Sequence, residues 1–176
     1  VMNAMAFSSE QLFAVVGQDH LQVGAGLTGV LIAAMGMGSL VGTLIIARFG
    51  AKSHFGRLFA LGSALHLVTL ILFAISPWYG LSFFLLLIMG LGNAGFSTMQ
   101  STIILSSPPP EMKGRAMGVL GLCIGSQPLG LLEMGAIATI FNTNAAIGIN
   151  AIAASLLLIP IVVLTRLASG DMAPAL

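Results

Sequence analysis

Few residues in this chain have side chains able to do chemistry, and those few sit in apolar surroundings. Glu10 lies within VMNAMAFSSEQLFAVV, flanked by Ser8, Ser9 and Gln11. Nine residues separate it from Asp19, so at 1.5 Å of helical rise per residue it lies about 13 Å from that end. That depth is near the middle of a bilayer. An ionisable group there is costly and is by default a functional hypothesis. Glu10 is therefore expected to carry a proton or face a solute; the plainer alternative is a carboxyl hydrogen-bonded in a helix contact. Asn3 and Gly17, seven residues to either side, are expected on the same face.

A second group is Asn93, Ser97, Gln100 and Ser101, spaced to share one face of a helix. With Phe96 beside it, the stripe offers hydrogen bonds next to apolar surface, which suits an amphipathic organic solute. The same amides would equally serve to bond a neighbouring helix. Gln127 sits in a soft stretch, Gly125-Ser126-Gln127-Pro128, where Pro128 removes the backbone partner of the Ile124 carbonyl and should kink the helix. Glu133 is eighteen residues beyond Arg115, about 27 Å along a helix, toward the opposite membrane face. His66 is alone in the middle of an apolar run, a packing residue or a proton relay. The three histidines share no ligand spacing, and the single cysteine, Cys123, allows no internal disulfide. Neither a P-loop nor locally grouped Ser-His-Asp residues occur, so ATP-driven export and hydrolytic catalysis are not expected, nor is a cofactor.

The elements that must position these residues follow from composition. Charged residues make up 6% of the 176 residues and apolar ones 57%, with mean hydropathy +1.07. A soluble domain carries about 25% charge. Lipid, not water or nucleic acid, is the expected surrounding. Continuous apolar runs near 20 residues read as spanning helices. Five are predicted, at Val23–Ala47, Leu58–Ile75, Leu81–Leu105, Ala116–Ile140 and Ala145–Leu164. A sixth, Val1–Val16, is expected to be the end of a span that begins upstream, so the sequence reads as a piece of a longer chain. The runs do not alternate as barrel strands would. The predicted fold is all-α: a polytopic membrane helix bundle of six transmembrane helices.

Charge placement orients the bundle. Arg48, Lys52 and Arg57 occupy one break, Lys113 and Arg115 another, and Arg166 follows the last run. With the spans above, all three places fall on one side, expected to be cytoplasmic by the positive-inside rule. The turns holding Trp78, Tyr79 and Asn142 fall on the other. Glycines four apart, Gly38 and Gly42, Gly114 and Gly118, Gly121 and Gly125, and the group Gly90, Gly92 and Gly95 permit close helix approach.

Two stretches carry a family likeness. PPPEMKGRAMGVLGLCIGSQPLGLLEMGAIA, from Pro108 to Ala138, resembles the loop between helices ten and eleven, and helix eleven, of major facilitator superfamily transporters. The spacing Pro109, Lys113, Gly114, Arg115 is similar to a loop pattern of bacterial drug and siderophore exporters in that superfamily. GMGSLVGTLIIARFGAKSHFGR, from Gly36 to Arg57, resembles the eighth helix and its basic loop. The resemblance implies that residues 1–176 are the C-terminal half, helices seven to twelve, of a twelve-helix transporter in the cell membrane. It implies a missing N-terminal half as partner and a small organic substrate moved by alternating access. Glu10 would then lie on a cavity-lining helix, and Arg48, Arg57, Lys113, Gly114 and Arg115 would be loop and gating residues. At one point the chain departs from the pattern: Ile46 stands four residues after Gly42 and the loop holds no acid, which argues against a charge-relay gate there. The competing readings are a channel subunit or a non-transporting membrane scaffold. A channel would want a filter loop or charged rings, which the sequence does not offer.

Overall fold

A computed structural model describes residues 2–49, 55–106 and 108–170. Lys52 and His54 lie outside the described residues, as does the side chain of Arg166. The described chain is helical, with no strand among the described residues. The first segment, α1, covers residues 2–20 and is interrupted. A π-helical stretch, Met2–Ala6, leads into α-helix at Phe7–Glu10, a turn at Gln11 and Leu12, a short α stretch Phe13–Val15, and π-helix again at Val16–His20. Then follow α2 (Ala25–Phe49), α3 (Phe55–Ala74), α4 (Tyr79–Ser106), α5 (Lys113–Gly125), α6 (Gln127–Ile140) and α7 (Thr143–Gly170).

Among the described residues, four helical runs are long and apolar enough to cross a membrane: Ala25–Arg48, Phe55–Ala74, Tyr79–Ser106 and the joined Pro110–Ile140. Of the other two expected spans, α1 is broken by its turn and π stretches, and α7 is helical throughout, with Pro160 inside it. The joined run is interrupted at Ser126, where α5 ends and α6 begins, two residues before Pro128. The Ser126 hydroxyl donates to the Cys123 carbonyl at 2.7 Å, satisfying one backbone group that the interruption frees.

α4 is the centre of the bundle. Its Gly90 packs on Met35, Gly38 and Ser39 of α2, and its Gly92 and Gly95 pack on Gly62 of α3. A Cβ on Gly38 would run into the Leu87 carbonyl, so only glycine permits this approach. Gly38 meets Leu87 and Gly90 while Gly42 meets Leu91 and Ala94, so α2 and α4 run parallel. Gly62 meets Gly95 while His66 meets Gly92, so α3 runs antiparallel to both. Arg48, Arg57 and the α4–α5 connection therefore gather at one end of this layer. The glycines of α5, by contrast, have no atom within 4 Å of where a Cβ would stand.

On α2 the buried positions Leu31, Ala34, Met35, Gly38 and Gly42 repeat every three or four residues, one face of a helix. Its other faces expose Leu27, Leu40, Val41 and Leu44, and α5 and α6 expose Leu122, Leu129 and Leu132. Helices apolar on every face suit a lipid surround. Inside, Phe13 and Val16 of α1 join Leu70 and Phe73 of α3, Leu86 and Met89 of α4, Met134 of α6 and Ile147 and Ala151 of α7 in one core. The turns behave as short polar caps. The Asn142 carboxamide oxygen accepts the Ala145 backbone N–H at 2.7 Å, starting α7. The Tyr79 hydroxyl donates to the Leu27 carbonyl at 3.0 Å, fastening α4 to the start of α2.

Candidate functional site in an interrupted helix

Irregular backbone at membrane depth must find hydrogen-bond partners inside the protein. In α1 side chains supply them. The Ser8 hydroxyl donates to the Ala4 carbonyl at 2.7 Å and lies 3.0 Å from the Gln127 carbonyl. Ser9 donates to the Met5 carbonyl at 3.2 Å and lies 3.3 Å from the Met134 sulfur. Gln127 donates through Nε2 to the Phe7 carbonyl at 3.2 Å, and Asn150 of α7 donates through Nδ2 to the Met5 carbonyl at 3.4 Å. Gly130 of α6 lies against the Ala4 carbonyl, where any Cβ would collide. Two interrupted helices, α1 and the α5–α6 run, thus cross and satisfy one another's backbone.

Glu10 stands one turn beyond this crossing. Its Oε1 lies 3.8 Å from Nε2 of His66 on α3. Glu10 keeps 22% of its side-chain surface exposed, and His66 keeps none. Oε1 of Glu10 and both ring nitrogens of His66 are buried without a hydrogen-bond partner. The His66 ring leans on Phe7, with centroids 5.0 Å apart, and Phe7, Phe96 and Phe59 continue as an aromatic row at 5.1 Å steps. The site is a carboxyl and an imidazole at near contact beside a row of aromatic rings, with part of the Glu10 side chain still exposed.

The remaining candidates are dispersed. Asn93 is half-buried and donates through Nδ2 to the Ser39 hydroxyl of α2 at 3.4 Å, so part of the stripe bonds a neighbouring helix. Ser97 is exposed, bonded to the Asn93 carbonyl at 2.8 Å, and Gln100 is half-buried. Phe96 does not flank the stripe on an open surface; it is buried in the aromatic row. Glu133 is exposed on α6. Arg48 and Arg57 are exposed at the ends of α2 and α3, and Lys113, Gly114 and Arg115 open α5, also exposed. Gly17 packs on Thr28 of α2, whereas Glu10 meets His66 of α3.

Sequence reasoning missed Asn150, Ser39 and the pairing of Glu10 with His66. The last left a signal, since both residues fall near the middle of their own apolar runs. Two ionisable groups at one depth on different helices are candidates to meet.

Comparison with known proteins then places the chain. The family model of the Major Facilitator Superfamily matches residues 1–174. The chain belongs to this superfamily. It is also similar to the enterobactin exporter EntS of Escherichia coli O81 (strain ED1a), with 29% identity over 154 residues, covering 84% of the chain and 36% of the relative. EntS of Shigella flexneri shows the same identity over 154 residues, covering 37% of that protein. The superfamily chain described here thus spans little more than a third of the length of these relatives. No solved structure matches it. Membership places the chain among the proteins of the Major Facilitator Superfamily, and the relatives it resembles are enterobactin exporters.

Proposed function

We propose that the chain is the C-terminal six-helix half of a multi-pass transporter of the inner or plasma membrane. The whole protein is a secondary active, proton-coupled exporter of a small organic molecule, working by alternating access. An N-terminal half completes the cavity, in keeping with the share of the exporter relatives that this chain spans. The observation that carries the coupling is Glu10: a largely buried carboxyl at mid-depth, beside the crossing of two interrupted helices. Interrupted helices commonly border transport sites because their backbone can line a cavity. Gln100 and Ser97 supply polar surface for the solute, and Asn93 positions that stretch of α4 against α2.

The likeness to enterobactin exporters makes enterobactin the first probe. The full-length protein, reconstituted into vesicles, should move enterobactin when a pH gradient is imposed and stop when an ionophore collapses it. Transport indifferent to the gradient would defeat the coupling. Failure with enterobactin and with a panel of amphipathic organic solutes would defeat the exporter reading.

A further inference from the structure

The structure places three buried polar atoms together, Oε1 of Glu10 and Nδ1 and Nε2 of His66; none makes a hydrogen bond of good geometry, and the Met89 backbone is the other polar group acting on the ring. Buried polar groups are normally hydrogen-bonded, and orphaned ones cost stability unless they have a use. Here Nε2 and Oε1 stand 3.8 Å apart, beyond a hydrogen bond but within an ångström or so of one, by ordinary N–H···O geometry of about 2.9 Å. Glu10 lies just before the turn at Gln11 and Leu12, and between two π stretches, so its backbone is not locked by a regular helix. His66 is fixed: it lies in unbroken α3, against Gly92 and Phe7.

We propose that Glu10 and His66 form one proton-exchanging pair, in which His66 is the buried partner that positions and reloads the Glu10 carboxyl. A proton arriving from the open side binds the Glu10 carboxylate. Glu10 then swings toward His66, its O–H bond breaks, and an N–H bond forms at Nε2. The result is a carboxylate and an imidazolium held together by charge; return of the proton to the carboxyl restores two neutral groups. Both arrangements carry no net charge, and the neutral one spares the interior the cost of desolvating two charges. Departure of the proton to the open side leaves a single negative charge, carried by Glu10, the member with access to that side. The pair thus uses the break in α1 as its moving part and α3 as its fixed one.

The other ionisable groups on the elements packed around the pair are exposed or engaged elsewhere. Asp19 and His20 on α1, Arg48 on α2, Arg57 on α3, Lys113, Arg115 and Cys123 on α5 and Glu133 on α6 are exposed. Tyr79 on α4 donates to Leu27, and the described side chains of α7 include none that ionises. Glu10 and His66 stand 3.8 Å apart, so the protonation of one bears on that of the other.

That dependence is reciprocal and measurable without a substrate. The full-length protein in detergent is titrated with pH while infrared difference spectra follow carboxyl C=O stretching and labelled-histidine magnetic resonance follows the imidazoles. Glu10→Gln should remove one carboxyl band and shift one histidine titration by about one pH unit or more. His66→Gln should shift the midpoint of that same carboxyl band by a similar amount. Should His66→Gln not fold, the histidine shift in Glu10→Gln decides alone. Unmoved histidine titrations in Glu10→Gln, or an unmoved carboxyl band in folded His66→Gln, would overturn the pairing. The pair gains its transport role only from the exporter reading above. Reciprocal shifts in a protein that carries no solute would leave the pair standing and remove that role.

Discussion

Gly62 of α3 and Gly92 of α4 face each other backbone to backbone. A Cβ on Gly62 would stand 2.8 Å from the Gly92 carbonyl oxygen, and a Cβ on Gly92 would stand 2.8 Å from that of Gly62. This contact holds α3 at the height that brings His66 level with Gly92, and so sets the fixed wall of the Glu10 site.

Alanine at either position should therefore force the helices apart. Overpacking a close contact costs about 1–3 kcal/mol, and backbone atoms cannot rotate away as a side chain can. Gly62→Ala and Gly92→Ala should lower the thermal midpoint of the detergent-solubilised protein by several degrees. Gly36→Ala on α2, where no atom lies within 4 Å, should hold or raise it, since alanine favours helix by about 0.5–1 kcal/mol. Equal midpoints for all three would remove the close contact.

Gln127 is expected to matter for folding before it matters for transport. Its carboxamide is the partner of the Phe7 carbonyl at 3.2 Å. Gln127→Leu fills similar space but strands that carbonyl, a loss of about 1–3 kcal/mol for a buried unsatisfied group. Glu133→Gln, on the exposed face of α6, should change stability by less than about 0.5 kcal/mol. A thermal shift measured on both variants separates them; equal shifts would detach Gln127 from α1.

What the sequence made legible follows from the period of its pattern. Long apolar runs gave α2, α3, α4 and the Pro110–Ile140 run, and Pro128 lies two residues after the interruption at Ser126. Gly38, Gly42, Gly90, Gly92 and Gly95 marked the closest contacts, because only missing side chains let backbones touch. The same rule applied to Gly114, Gly118, Gly121 and Gly125 found no partner among the described residues. α1 was not legible. Its carbonyls at Met5 and Phe7 take partners from Asn150 and Gln127, more than a hundred residues away, which no local spacing could reveal. The tertiary partner also decided Phe96, which the stripe beside it suggested was open and the row Phe7–Phe96–Phe59 buries.

Asn93 and Gln100 should separate by readout. The bond from Asn93 to Ser39 is long, at 3.4 Å, and membrane side-chain hydrogen bonds average about 0.6 kcal/mol. A double-mutant cycle of Asn93→Ala with Ser39→Ala should therefore return a coupling near that size. Gln100→Ala should leave the melting point in place and alter the range of solutes transported. Unaltered solute range in Gln100→Ala would take it out of the site, and a zero coupling would return Asn93 to candidacy as a solute ligand.

Labelling tests the orientation on which every depth assignment depends. α2 and α4 run parallel and α3 runs against them, so Arg57 and Lys113 are at one end of the bundle. Asn142 precedes α7 after α6 has crossed in the other direction. Starting from Cys123→Ser, which removes the exposed thiol, single cysteines are placed by Arg57→Cys, Lys113→Cys and Asn142→Cys. A membrane-impermeant maleimide added to intact cells should label the Asn142 position alone. Added to inside-out vesicles, it should label the other two, as the positive-inside rule requires. Labelling of Arg57→Cys and Lys113→Cys from opposite sides would break the spans apart and, with them, the mid-membrane depth of Glu10.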